Sequence, residues 1–119
     1  MTPQDEATSL LEDLGIKGLP IVPEEICRRL KIHYSEDPLK DLDGVLILHP
    51  STGKGLICVN SLVSEQGRKN FTIAHEFGHW CMDSVEQYAF FCPRGVIESF
   101  KPTIKPMELR ANEFAAEFL

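Results

Sequence analysis

Apolar residues recur every three or four positions in four stretches of the chain, which is the spacing of one face of an α-helix. The first stretch stops at Gly15, and the second begins with Pro23, a residue favoured in a first helical turn. The third runs from Arg68 to about Met82 and is apolar on more than one side, as in a buried helix. Pro106 opens the last stretch. The pattern therefore predicts two short helices, one buried helix and one final helix.

Three short runs between the second and third predicted helices favour β-strands. They read "KIHYS", "GVLILHP" and "GLICVNS", and the turn-rich "PSTGKG" separates the last two, which predicts a hairpin. After the third helix, "CPRGVIESFKPTIKP" predicts a long irregular connection, with Cys92 in a loop. No repeat or linker divides the chain, so we predict one domain over residues 1–119.

The charge balance and the apolar runs narrow the class of protein. Acidic residues outnumber basic ones by 18 to 12, the formal charge is −6, and no cluster of Lys or Arg stands out. Direct nucleic-acid binding is not expected, because it depends on basic groups that neutralise phosphates. No apolar run approaches the length of a membrane span, and the first residues do not resemble a secretory signal. We predict a soluble cytoplasmic protein with reduced cysteines.

The third predicted helix carries the pattern HExxH. His75 and His79 are one turn apart, so both imidazoles can turn towards one divalent metal such as zinc. Glu76 is rotated away from both rings, yet it can reach a water molecule at the metal, which suits a general base in peptide hydrolysis. His33 and His49 fall on predicted strands, where we expect ordinary exposed or hydrogen-bonded side chains.

A catalytic zinc site commonly has three protein ligands, and the final helix offers three carboxylates. On a helical wheel Glu113 and Glu117 lie opposite the apolar stripe, so they are expected to face solvent. Glu108 borders the stripe and Asn112 follows one turn later, which favours Glu108 as the third ligand and Asn112 as a hydrogen-bond partner of a ligand. Alternatively, Glu108 is simply an acidic first-turn residue favoured by the helix dipole.

The segments "RKNFTIAHEFGHW" and "ELRANEFAAEFL", with the strands "DGVLILHP" and "GLICVN", resemble the ImmA/IrrE family of zinc metallopeptidases. The resemblance implies a minimal α+β zincin-like fold, with a small, mainly antiparallel sheet packed on helices. It also implies that His75, His79 and Glu108 bind Zn²⁺, that Glu76 is the catalytic base and that Asn112 supports the site. The implied role, in bacteria, is site-specific cleavage of a helix-turn-helix (Xre-type) repressor, which relieves transcriptional repression.

The chain departs from the family in two places. Many members carry a histidine eight residues after the first ligand, where this chain has Asp83, and members usually continue with a Met-Pro pair beyond Leu119. The sequence therefore resembles a domain truncated at its C-terminus. The sequence does not assign the oligomeric state. It also leaves open which group stabilises the oxyanion, for which the candidates are Tyr34, Tyr88, Arg94 and His49.

Two other functions fit the sequence. The chain could be a zinc-binding regulatory module that binds a transcription factor without cutting it, or an interaction domain that binds no metal. Loss of cleavage on removing Glu76 would distinguish a peptidase from a zinc-binding module that does not cut. Metal analysis would identify an interaction domain that binds no metal. For a peptidase, we expect an extended substrate to pair with the exposed edge of the hairpin between Val45 and Asn60.

Overall fold

The computed structural model describes residues 1–18, 20–85, 87–96 and 105–119. Within these ranges the chain forms four helices and four strands, which confirms the α+β class. None of the helices in the described ranges is long and apolar enough to span a membrane. In chain order the elements are α1 (Pro3–Asp13), α2 (Pro23–Arg29), β1 (His33–Asp37), β2 (Leu42–Leu48), β3 (Gly55–Asn60), α3 (Gln66–Met82), β4 (Ala89–Pro93) and α4 (Pro106–Phe118).

Local sequence signals explain where α1 begins and where the chain turns away after it. Thr2 Oγ1 accepts a hydrogen bond from Asp5 N at 3.1 Å, and Asp5 Oδ2 accepts one from Thr2 N at 3.1 Å. This reciprocal pair satisfies two backbone donors at the helix start, and Pro3 fits the first turn. Beyond the helix, Gly15 takes the left-handed conformation with φ +69°. The predicted helix is therefore present and ends just before Gly15, as expected, while its start is fixed by a capping box that the sequence prediction did not use.

The four strands form one mixed sheet in the order β1-β3-β2-β4. The β2–β3 pair is antiparallel, which confirms the predicted hairpin, while β1 runs parallel to β3 and β4 antiparallel to β2. Both edges of the hairpin are therefore already paired, and the expectation that a substrate strand adds to a free hairpin edge is wrong. In the described part of the chain, the free edges of the sheet belong to β1 and β4.

The fourth strand is absent from the sequence prediction, which placed Cys92 in a loop. Cys92 is instead a buried residue of β4, opposite Gly44 of β2. The strand is only five residues long, and Pro93 at its end resembles a turn residue in the sequence, although proline is compatible with an edge strand. The remainder of the predicted irregular connection, residues 97–104, lies outside the described residues.

Helix α3 lies between the sheet and the other helices. Leu46 and Ile57 of the sheet belong to the same buried core as Ile73 and Phe77 of α3, and α4 adds Phe114 to that core. The edge-to-face contact of Phe77 with Phe118, with ring centroids 5.6 Å apart, joins α3 to α4. Because α3 contacts both layers, its centre is buried on all sides, as the apolar pattern predicts.

Two glycines allow close approaches to the centre of α3. A Cβ atom at Gly44 of β2 would lie 2.6 Å from Thr72 Cγ2, so the strand can pass this close only without a side chain. A Cβ atom at Gly78 of α3 would lie 3.2 Å from Ala111 Cα and 3.1 Å from Phe114 Cβ. The glycine inside the HExxH pattern therefore sets how closely α4 packs on α3.

Gly78→Ala should lower the melting temperature, because the new methyl group meets the backbone of α4 and must push that helix away. We expect a loss of about 1–3 kcal/mol in the free energy of unfolding. Gly67→Ala is the matched control, since Gly67 lies in the same helix with nothing within 4 Å of the added carbon. It should leave stability unchanged or raise it by about 0.5–1 kcal/mol. Equal melting temperatures for the two variants would contradict the close helix contact.

Candidate metal centre

The central turns of α3 bring His75, Glu76 and His79 into the protein interior, and all three side chains have 0% exposure. Glu108 reaches the same point from the first turn of α4. The other two carboxylates of α4 lie elsewhere: Glu113 Oε2 accepts a hydrogen bond from Gln4 of α1, and Glu117 is exposed. The structure thus brings Glu108, alone of the three, to the two histidines, although its role as a ligand stays a prediction.

The polar atoms of this cluster converge tightly. His75 Nε2 and His79 Nε2 are 3.2 Å apart. Glu108 Oε1 lies 2.9 Å from His79 Nε2, and Glu108 Oε2 lies 3.3 Å from His75 Nε2. The two Nε2 atoms and the carboxylate therefore face one common point between α3 and α4.

The outer nitrogen of each imidazole is held by an oxygen. His79 Nδ1 is 2.9 Å from Asp83 Oδ2, and His75 Nδ1 is 2.8 Å from Asn112 Oδ1. The amide orientation of Asn112 follows from its Nδ2, which donates to the Val96 carbonyl at 2.9 Å. Because both oxygens accept, the hydrogen of each neutral imidazole lies on Nδ1 and the lone pair lies on Nε2.

Two lone pairs and a carboxylate thus point at one another in a buried site. Such a set repels itself unless a positive charge lies among the three groups. Burial lowers the pKa of His79, but the hydrogen bond that the charged imidazole donates to Glu108 and the charges of Glu76 and Glu108 outweigh it and raise the pKa overall. Burial likewise raises the pKa of Glu108, and the hydrogen bonds from His75 and His79 more than reverse this, to about 2. The site favours a bound cation, and its residues could hold a divalent metal.

Glu76 differs from the other members of the cluster. Neither of its carboxyl oxygens has a hydrogen-bond partner in the part of the chain that the structure describes. Burial raises the pKa of this carboxyl to about 8. A ligand atom of Glu76 lies within 4.8 Å of those of the two histidines, so proximity alone would also admit it as a ligand. Glu108 lies within hydrogen-bonding distance of both Nε2 atoms, whereas Glu76 does not.

Asp83 and Phe90 are site residues that the sequence reasoning missed. Asp83 is 2% exposed and holds His79 from one helical turn away, and Phe90 of β4 stacks on the His79 ring with centroids 4.6 Å apart. The i, i+4 spacing of Asp83 from His79 is a usable signal for such a pair, whereas nothing in the local sequence indicates Phe90. Both residues fix the plane of the His79 imidazole.

Asp83→Ala should weaken the binding of a divalent metal by about 10–100-fold, because His79 loses the acceptor that fixes its tautomer and ring orientation. The measurement is a competition titration of zinc against a chelating indicator. Asp13→Ala, which removes an exposed aspartate from the end of α1, is the matched control and should bind zinc like the wild type. Indistinguishable zinc affinities for the two variants would show that Asp83 does not support the site.

Three other residues considered in the sequence, Tyr34, His49 and His33, lie apart from this cluster. Tyr34 is on β1, at the opposite edge of the sheet from β4, and its hydroxyl donates to Glu36 at 2.7 Å. His49 follows β2, where its Nδ1 accepts from Ser51 N at 3.3 Å, and His33 is exposed on β1. These positions agree with the expectation that neither of the two histidines is a ligand.

Comparison with known proteins gives one family match. The family model Peptidase_M78, described as the IrrE N-terminal-like domain, matches residues 27–119, which is most of the chain and includes every residue of the cluster. None of the curated proteins matches the chain.

Proposed function

Because the chain belongs to the Peptidase_M78 family of IrrE N-terminal-like domains, we propose that it is a zinc-dependent endopeptidase. The family supports a metallopeptidase-like, hydrolytic role. The identity of the metal, the assignment of roles to residues and the nature of the substrate are proposed from the geometry of the site and from the resemblance of its sequence.

The convergence of two imidazole nitrogens and one carboxylate is the observation that carries the proposal. Two histidines and one glutamate are a known ligand set for catalytic zinc, with one position left for water or substrate. Ligand bonds of 2.0–2.1 Å at tetrahedral angles place neighbouring ligand atoms about 3.3 Å apart. The separations of 3.2 Å between the Nε2 atoms and 3.3 Å between His75 and Glu108 agree with that spacing.

Zinc at this point would supply Lewis acidity, which lowers the pKa of water and polarises a peptide carbonyl. The protein supplies the proton acceptor. Glu76 adjoins the cluster, and neither of its oxygens is paired among the described residues, so it can take a proton from the attacking water and later donate it to the leaving amine nitrogen. A carboxyl group whose pKa is raised by burial can both accept and donate a proton near neutral pH.

An extended substrate has a place to bind beside this cluster. An open cavity of about 640 Å³ lies next to Glu108, and its walls include Phe90, Phe91 and Met107. The adjoining strand β4 pairs with β2 alone among the described strands. An extended peptide can therefore pair with the outer edge of β4 instead of the hairpin edge. Main-chain hydrogen bonds to β4 would hold the peptide across the site.

The proposed substrate is a helix-turn-helix repressor, and cleavage at one or a few sites would relieve repression. This part of the proposal rests on the resemblance to the ImmA/IrrE family. The acidic charge is compatible with it, because the partner rather than this chain would contact DNA. The second candidate, a zinc-binding module that binds a transcription factor without cutting it, would use the same ligands but would not need Glu76.

The zinc-loaded protein should cut a cognate repressor at one or few bonds and should digest unstructured casein slowly, because docking rather than access to the bond sets selectivity. The products are identified by mass spectrometry after incubation with each substrate. The matched control is Glu76→Gln with the same repressor, which should give products about 10²–10⁴ times more slowly. Rapid digestion of casein with no preference for the repressor would contradict the substrate but not the peptidase activity.

A further inference from the structure

Hydrogen bonds on either side of the turn at 95–96 connect a partly buried ion pair to His75. We propose that Asp43, held by Arg68, is a positioning residue that fixes the tautomer of His75 through the turn at 95–96 and the Asn112 amide. The inference rests on the proposed function, since it concerns how the chain prepares His75 to bind zinc. Asp43 itself does not contact the histidines.

Asp43 is an unusual residue for the middle of a sheet. It lies at the irregularity in the β2–β4 pairing, next to Gly44, and its side chain is 1% exposed. Arg68 of α3 donates from Nη2 to both carboxylate oxygens at 3.0 Å. A buried carboxylate needs such a partner, so the pair forms a fixed anchor between β2 and the start of α3.

The anchor holds the turn that follows β4. Gly95 N donates to Asp43 Oδ2 at 3.2 Å. Gly95 has φ +88°, a conformation that L-residues rarely adopt, and it aims this N–H back at β2. The next residue, Val96, presents its carbonyl to Asn112 Nδ2 at 2.9 Å. The position of the Val96 carbonyl therefore depends on the bond between Asp43 and Gly95.

The hydrogen bond to the Val96 carbonyl favours the amide orientation of Asn112 that places Oδ1 at His75. While Nδ2 is bound to that carbonyl, Oδ1 faces His75 Nδ1, and the hydrogen of the imidazole stays on Nδ1. Loss of this bond makes it easier for the amide to turn its NH₂ group towards His75. The hydrogen would then move to Nε2 and occupy the lone pair that faces Glu108 and His79. Asp43 thus acts indirectly, through the turn and Asn112, to keep the hydrogen off Nε2 of His75.

A purely structural role for the ion pair makes a different prediction. If Asp43 and Arg68 only stabilise the sheet, their loss lowers the melting temperature but leaves the zinc affinity of the folded protein unchanged. If Asp43 acts through Asn112, its loss weakens zinc binding, and the effect disappears once Asn112 has been removed. Non-additivity of the two substitutions is the property that separates these cases.

The test is a double-mutant cycle on zinc affinity with Asp43→Ala, which removes the acceptor of Gly95 N, and Asn112→Ala, measured below the melting temperature of each variant. Asp43→Ala should weaken zinc binding about tenfold or more, and the double variant should bind no more weakly than Asn112→Ala alone. Glu36→Gln is the matched control, because it removes the partner of Lys69, the next residue of α3, at an exposed site. It should bind zinc like the wild type.

Wild-type affinity for Asp43→Ala, or additive losses in the double variant, would overturn the inference while leaving the peptidase proposal intact. A wild-type chain that binds no zinc would overturn both. Should Asp43→Ala fail to fold, Gly95→Ala replaces it in the cycle. That variant strains the same turn through its backbone, while the added methyl group meets nothing within 4 Å. Its zinc affinity then decides the question by the same criterion.

Discussion

Glu76→Gln should still bind zinc but hydrolyse peptides about 10²–10⁴ times more slowly than the wild type. Glutamine has nearly the same size as glutamate and leaves His75, His79 and Glu108 in place, whereas its amide cannot accept a proton from water. Zinc content and the rate of repressor cleavage are measured on the same preparation. If the two histidines of the HExxH pattern bind the metal and its glutamate transfers the proton, this variant should keep zinc and lose activity.

The control for this variant is Glu117→Gln, the same change at an exposed position of α4. It should keep both zinc and activity. A wild-type rate of cleavage by zinc-loaded Glu76→Gln would mean that another group takes the proton. Loss of zinc together with activity would instead indicate that Glu76 is a ligand, which its distance of at most 4.8 Å from the histidine ligand atoms would permit.

Glu108→Ala should weaken zinc binding by more than the roughly 10–100-fold typical of outer residues, since it removes one of three protein ligands. It also leaves the lone pairs of His75 and His79 facing each other without a carboxylate. Elemental analysis after dialysis measures the retained metal. Glu113→Ala and Glu117→Ala remove the other carboxylates of the same helix and should retain the wild-type zinc content.

Similar losses of zinc from all three α4 variants would contradict the assignment of Glu108. They would indicate that the charge or stability of α4, rather than one side chain, controls binding. Full zinc content in Glu108→Ala would instead show that the third ligand lies elsewhere. Either outcome would leave membership of the family unaffected.

Local periodicity explains why much of this site could be predicted from the sequence. His75 and His79 are neighbours on any helix, so their convergence required only the prediction of α3. Glu108 was separated from Glu113 and Glu117 by its place beside the apolar stripe, and the packing of α4 on α3 turns that edge towards the histidines. Both inferences depend on helical geometry, which the sequence expresses within a few residues.

Contacts made through the sheet could not be predicted in the same way. Strand β4 is short and ends in proline, and its pairing with β2 joins residues nearly fifty positions apart, such as Val45 and Phe91. The free hairpin edge was therefore a wrong expectation, and the stacking of Phe90 on His79 was missed. Nothing local in the sequence of Asp43 or Gly95 indicates that their side chain and backbone meet.

The most direct test of the zinc peptidase is a titration of activity with metal. Protein freed of metal by chelation should not cut the repressor, and activity should return in proportion to added zinc until one equivalent per chain is bound. The metal-free protein should also melt at a lower temperature, because zinc binds the folded state preferentially. Undiminished cleavage by verified metal-free protein, or one bound zinc per chain without cleavage of any peptide, would contradict the proposed function.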